Sequence, residues 1–199
     1  GVLSHTAGVF RRAIIMPNLD PPITTITQAR EYQKRIIDSI PKGVSFTPLM
    51  TAYLTDDMSP ETLEQGFRDD VFYGAKLYPV NVTTNSSYGV TNLNKIDNLF
   101  ETMERIGMPL LIHGEVSDFD VDVFDREAVF IERHLDPLLR RFSSLKVVLE
   151  HITTIDAIDF IEGSKSDIAA TITPHHLHIN RNAMFHGGFR SDFYCLPTA

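Results

Sequence analysis

The chain has 199 residues, 43% of them hydrophobic and 22% charged, the make-up of a globular chain able to bury one substantial core. Its formal net charge of −8 and pI near 5.4 argue against nucleic acid or an anionic membrane surface as the main partner. A single cysteine, Cys195, excludes an internal disulfide and fits a reducing compartment, so the cytoplasm is the expected location.

The N-terminal GVLSHTAGVFRR lacks the order of a signal peptide, and no apolar run nears the roughly 20 residues that span a bilayer. RAIIMPN, residues 12–18, reads as a strand stopped by Pro17, and 27–39 as a helix capped by Thr27 with Ile36, Ile37 and Ile40 on its buried side. SFTPLMTAYL, 45–54, reads as the next strand, although Pro48 removes a ladder donor from it. Ser59-Pro60-Glu61 then starts a helix with a cap, a proline in the first turn and an acid behind it.

GAKLYP, 74–79, is the third strand, followed by VNVTTNSSYGVTN, a polar stretch too long for a tight turn and suited to an active-site loop. Residues 94–106 form a helix with Ile96, Leu99, Phe100 and Met103 on one face. MPLLIHGE is the fourth strand, and DREAVFIERHLDPLLRRF a long helix that Pro137 should kink or break. KVVLEHIT, 146–153, is the fifth strand, Thr154 and Asp156 start a helix ending near Gly163, and IAATITPHHL, 168–177, is the sixth strand. Strands alternating with helices imply a parallel α/β sheet with right-handed crossovers. No linker or charge block marks a second domain, so 1–199 is read as one barrel-type domain, two units short of a (β/α)8 barrel.

Three apolar runs end in metal-capable side chains: Lys76, His113 and His151. A parallel barrel collects the C-terminal ends of its strands on one face, where its chemistry sits. Imidazole suits zinc, and strand ends hold it rigidly. A buried lysine has a lowered pKa, and its neutral amine can add carbon dioxide to give a carbamate able to bridge two metals; a salt-bridged lysine at a strand end is the alternative. His175, His176 and His178 form a further cluster in which, on a strand, His176 and His178 would share a face. Their expected place is around the pocket, beside the metal ligands. Cys195 carries no nucleophile motif, and no glycine-rich phosphate loop or G-x-S-x-G elbow is present.

Taken in order, IIMPNLDPPITT, GAKLYPVNVTTNSSYGVTN, MPLLIHGEV, LEHITT and ATITPHHL resemble the single-domain bacterial dihydroorotases of the amidohydrolase superfamily, from about Arg12 to Pro197. The resemblance implies a (β/α)8 TIM barrel of the amidohydrolase type, with the first and last strand–helix units outside this chain. It implies a zinc-dependent cyclic amide hydrolase interconverting N-carbamoyl-L-aspartate and L-dihydroorotate in pyrimidine biosynthesis.

Two zinc ions would be bridged by carboxylated Lys76, with His113 and His151 as ligands of one of them. Asn18, Thr83, Thr84, His113 and Leu196 would contact substrate. The family's first-strand H-x-H pair and last-strand general acid/base aspartate have no counterpart here, so this chain would bind at most one zinc and have little activity alone. The family is often dimeric. The alternatives are a non-catalytic dihydroorotase-like scaffold or partner subunit, or a related cyclic amidohydrolase, against which Asn18 and the TTNSS loop argue.

Overall fold

A computed structural model describes residues 2–198. In chain order its elements are α1 (Val2–Val9), β1 (Arg12–Ile15), α2 (Ile26–Asp38), β2 (Thr47–Met50), β3 (Ala52–Tyr53), α3 (Pro60–Arg68), β4 (Ala75–Leu77), α4 (Asp97–Ile106), β5 (Leu110–His113), α5 (Arg126–Phe130), α6 (Asp136–Arg141), β6 (Val147–Glu150), α7 (Ile155–Gly163), β7 (Ile168–Ala170), α8 (Pro174–His178) and α9 (Arg181–Phe185). Short 3-10 turns lie at Leu93–Ile96 and Ser191–Phe193, and a π-helical turn at Ile131–Leu135.

Every strand pairing is parallel: β1 with β2, and β3 to β7 in sequence order. The expected second strand is therefore two pieces. β2 pairs only with β1, so the donor that Pro48 lacks is not demanded by a second neighbour. Thr51 sits at the break, and its hydroxyl donates to the Ile15 carbonyl at 2.6 Å, tying the two ladders together.

Local chemistry sets the helix boundaries. α2 begins after Thr25, not Thr27, because Thr25 and Gln28 form a reciprocal capping box. Ser59 caps α3 through the Thr62 amide, as the sequence implied, and Thr154 caps α7 through the Ala157 amide. Gly107, at φ 72°, closes α4 in the left-handed conformation that glycine adopts without a side-chain clash. Pro137 neither breaks nor ends its helix. A π-helical turn, Ile131–Leu135, lies just ahead of it and joins α5 to α6. The wider turn shifts the carbonyl pairing where proline has no N–H to give.

The core lies between sheet and helices. Leu110 and Ile112 of β5 and Leu149 of β6 are fully buried, packed in one cluster with Leu63, Leu99, Phe100 and Met103 from the helices. Full burial of each such side chain contributes about 1.5–3 kcal/mol. The opposite, concave face of the same strands is where polar groups gather.

Candidate active site at the strand ends

Strand register explains the convergence. Lys76 is level with Leu111, and His113 with Glu150. Residues two apart share a strand face, so Lys76, His113 and Glu150 all turn to the concave side while Leu110, Ile112 and Leu149 turn to the helices. Asn18, Lys76, Thr83, His113, His151 and Leu196 line one pocket of about 360 Å³, together with Tyr78, Glu150, Thr171 and Thr173. Thr84 is the exception among the expected contacts: its side chain is exposed, and its carbonyl accepts from Asn18 Nδ2 at 3.3 Å.

Lys76 is 1% exposed and ion-paired with Glu150. Burial lowers its pKa, and the Glu150 carboxylate opposes that shift. In this form Lys76 is the salt-bridged strand-end lysine. Glu150, 74 residues away in sequence, is a partner that sequence reasoning did not identify.

The rings of His113 and His151 stand edge to face, 4.8 Å apart. Burial, then the nearby Lys76 charge, hold their pKa values down to about 3 and about 2, so both are neutral. His113 Nε2 lies 2.6 Å from Glu115 Oε2. Glu115 is buried, and desolvation raises its pKa to about 7. When ionised, it accepts the Nε2 proton and leaves the Nδ1 lone pair free. Gly114 permits this fold-back, since a Cβ there would sit 2.5 Å from a Leu149 methyl.

His151 is held differently. Its backbone has φ 47°, a left-handed conformation uncommon outside glycine and typical of functional sites. The Thr171 hydroxyl accepts its amide at 2.8 Å, and buried Glu127 accepts the amides of Thr153 and Thr154 just beyond. His151 Nδ1 is buried and has no hydrogen-bond partner among the described residues. A buried nitrogen lone pair without a donor costs stability unless something occupies it. The two neutral imidazoles form a donor pair that fits a zinc-type cation, and Lys76 could join them only after giving up its ammonium proton and its pairing with Glu150.

The 79–92 loop folds over this pocket. A bridge from Pro79 to Val90 closes its neck, and Gly89 is required there because a Cβ would lie 2.4 Å from the Tyr78 carbonyl. Asn85 Nδ2 donates to the Asn18 carbonyl at 2.9 Å, and the Tyr53 hydroxyl donates to the Asn85 carbonyl at 3.2 Å.

The histidine cluster departs from expectation. β7 ends at Ala170, and His175, His176 and His178 lie on α8. Pro174 in the first turn behind Thr173 is a helix start, a signal present in the sequence. His178 is exposed, and His176 instead lies against His175, the rings tilted by 54° with centroids 4.3 Å apart.

A parallel sheet with functional groups at its C-terminal strand ends is the arrangement of a (β/α)8 barrel of the amidohydrolase type. No family model matches the chain. A curated dihydroorotase from Synechococcus sp. (strain CC9605) is 64% identical over 198 residues, and the match spans 100% of this chain and 57% of that protein. The solved dihydroorotase from Campylobacter jejuni superposes with a TM-score of 0.90 at 34% identity, covering 100% of this chain and 56% of that one.

Dihydroorotase from Saccharomyces cerevisiae, solved in complex with 5-fluoroorotic acid, gives 0.84 at 33% identity, covering 97% of this chain and 56% of that one. The particular likeness is to dihydroorotases, and the chain spans somewhat over half the length of the relatives it matches. No helix among the described residues is long and apolar enough to cross a membrane.

Proposed function

We propose that this chain, as one barrel domain, carries half of a dihydroorotase site, which reversibly closes N-carbamoyl-L-aspartate to L-dihydroorotate. The observation behind this reading is the partnerless, buried His151 Nδ1 beside His113 and Lys76, in a chain 64% identical to dihydroorotase. Lys76, His113 and His151 would hold zinc, which when bound supplies a Lewis acid and lowers the pKa of water.

Once its ammonium proton has passed to water, the Lys76 amine can add carbon dioxide, and a second proton leaves the nitrogen as the carbamate forms. The resulting carbamate would lie beside the Glu150 carboxylate, and two adjacent anions need a cation between them, so carboxylation and metal uptake are expected together. In the intact family site the same carbamate would bridge two zinc ions.

The other residues bind and orient substrate. Asn18 holds the loop through Thr84 and Asn85 and can offer its amide to a carboxylate. Thr83, with the Thr84 backbone, closes the pocket side, and loop closure would exclude water from the reacting amide. The Leu196 backbone would meet the ring edge, consistent with the pyrimidine carboxylate bound by the yeast relative. The single cysteine and acidic charge agree with a cytoplasmic metabolic enzyme, and the resemblance adds a homodimer as one assembly to test.

Zinc analysis with a dihydroorotate hydrolysis assay on this chain tests the reading. In this pocket, at most one zinc, lost in His113→Ala and His151→Ala, with little turnover, is expected. Two zinc ions tightly held in this pocket with full turnover, or a pocket zinc indifferent to both substitutions, would contradict it.

A further inference from the structure

His175, His176 and Cys195 remain without a role in the pocket described above, yet one potential ligand atom from each lies within 4.8 Å of the others. We propose that these three side chains form a second cation site, at the rim of the pocket, for a borderline-soft divalent metal of the zinc class.

The donors are held by named contacts. Thr173 Oγ1 lies 3.1 Å from His175 Nε2 and 2.7 Å from His176 Nδ1, fixing both rings at the start of α8. With Nδ1 so engaged, His176 Nε2 faces the 195–197 segment, 3.8 Å from Cys195 Sγ and 3.2 Å from the Pro197 carbonyl oxygen. That oxygen is 3.9 Å from Cys195 Sγ. Zinc–nitrogen bonds of about 2.0–2.1 Å and zinc–sulfur bonds of about 2.3 Å, at a tetrahedral angle, put the two ligand atoms about 3.5 Å apart.

The His176–Cys195 spacing is within a few tenths of an ångström of that figure, and the Pro197 carbonyl stands at a distance suited to a further ligand. In the metal-free form His176 Nε2–H donates to this carbonyl, which keeps the arrangement together. Binding replaces that bond: the His176 proton moves to Nδ1 or its tautomer is exchanged through solvent, the Cys195 thiol releases its proton to water, and the thiolate bonds the metal. The ligand class follows from the donors, since two imidazoles and a thiolate select zinc or cobalt over magnesium or calcium.

The site would tie α8 to the 195–197 segment. Thr173 and Leu196 both line the pocket, so a cation here would brace one of its walls.

Cobalt(II) titration of the metal-free chain tests the proposal. Cys195 is the only cysteine, and the pocket's donors are nitrogen and oxygen, so a thiolate-to-cobalt charge-transfer band in the near ultraviolet reports the rim site alone. Cobalt added to saturation of both sites should raise that band. Cys195→Ser should abolish it, and His176→Ala should weaken binding by about tenfold or more. His113→Ala and His151→Ala should leave the band in place, so the rim site and the proposed function fail separately.

Absence of the band, or its persistence at full affinity when both His175 and His176 are replaced by alanine, overturns the proposal. Alkylation of Cys195 in the unaltered protein gives a second reading: zinc should slow it severalfold, and equal rates with and without zinc contradict the site.

Discussion

In the middle of the sheet, β5 carries four buried residues in a row, and β4 three. At one margin β1 leaves Arg12 and Ile14 exposed, and at the other β7 leaves Ala169 exposed. The contrast shows what pairing on both sides does for a strand. β4, β5 and β6 have helices over one face and close-packed polar groups over the other, so a lysine and a histidine there lose almost all water. Ile172, Leu177 and Phe185, beyond β7, keep 45%, 72% and 53% of their surface exposed. The chemistry is strung across this gradient: Lys76 and His113 in the dry centre, His151 and Leu196 nearer the open side.

The largest expected effect comes from breaking the centre. Lys76→Ala leaves Glu150 near the interior without its cation, and the chain should lose about 3 kcal/mol in denaturant unfolding, the low end for a buried pair because Glu150 is partly exposed. Lys76→Ala combined with Glu150→Gln should recover much of that loss. An apolar test sharpens the same contrast. Leu149→Ala, at a fully buried position, should cost about 2–5 kcal/mol, whereas Ile14→Ala, 40% exposed on β1, should cost under about 1 kcal/mol. Equal costs would erase the distinction between centre and margin.

Glu115→Gln probes how the centre orients its ligand. It should lower metal affinity about 10–100-fold by loosening control of the His113 tautomer, read by competition with a chelator, while the thermal midpoint of the metal-free protein at about pH 5, where Glu115 is neutral, changes little.

The same substitution tests the metal-free protein's pH response. His113 and His151 take protons near 6.5 when unfolded but only at about 3 and about 2 when folded, so their contribution is full above 6.5 and is lost as pH falls through those lower values. Glu115 acts in the opposite sense. Its value rises from 4.5 to about 7 on folding, so its contribution is full below 4.5 and is lost as pH rises through 7. Metal-free Glu115→Gln should therefore fall less in stability than the parent between about pH 5 and about pH 8, by denaturant midpoints.

The smallest effect is expected at the loop. Asn18→Ala removes the bond to the Thr84 carbonyl, and amide exchange over residues 82–86 should accelerate with a stability loss of about 1 kcal/mol or less.

The contrast also explains what could be read from the residues alone. GAKLYP, MPLLIHGE and KVVLEHIT are apolar runs because both faces of those strands are covered, so their ends, and hence Lys76, His113 and His151, stood out. The pairing partners did not. Glu150 is 74 residues from Lys76, and Glu127 supports a turn 26 residues on; such contacts depend on register and helix placement, which no local pattern carries.

Toward the open margin the reading failed where two local signals competed. The β-rich IAATIT masks the Thr173-Pro174 helix start, so the sixth strand reads on to Leu177 although the chain turns helical at Pro174. Cys195 looked solitary because its histidine neighbours arrive from a helix 19 residues earlier.

The most direct test is a crystal structure of this chain grown with zinc and bicarbonate, read by anomalous scattering at the zinc edge. The account predicts a zinc ion on His113, His151 and a carboxylated Lys76 that has left its pairing with Glu150. An unmodified Lys76 still paired to Glu150, with no zinc at the two histidines, would contradict it.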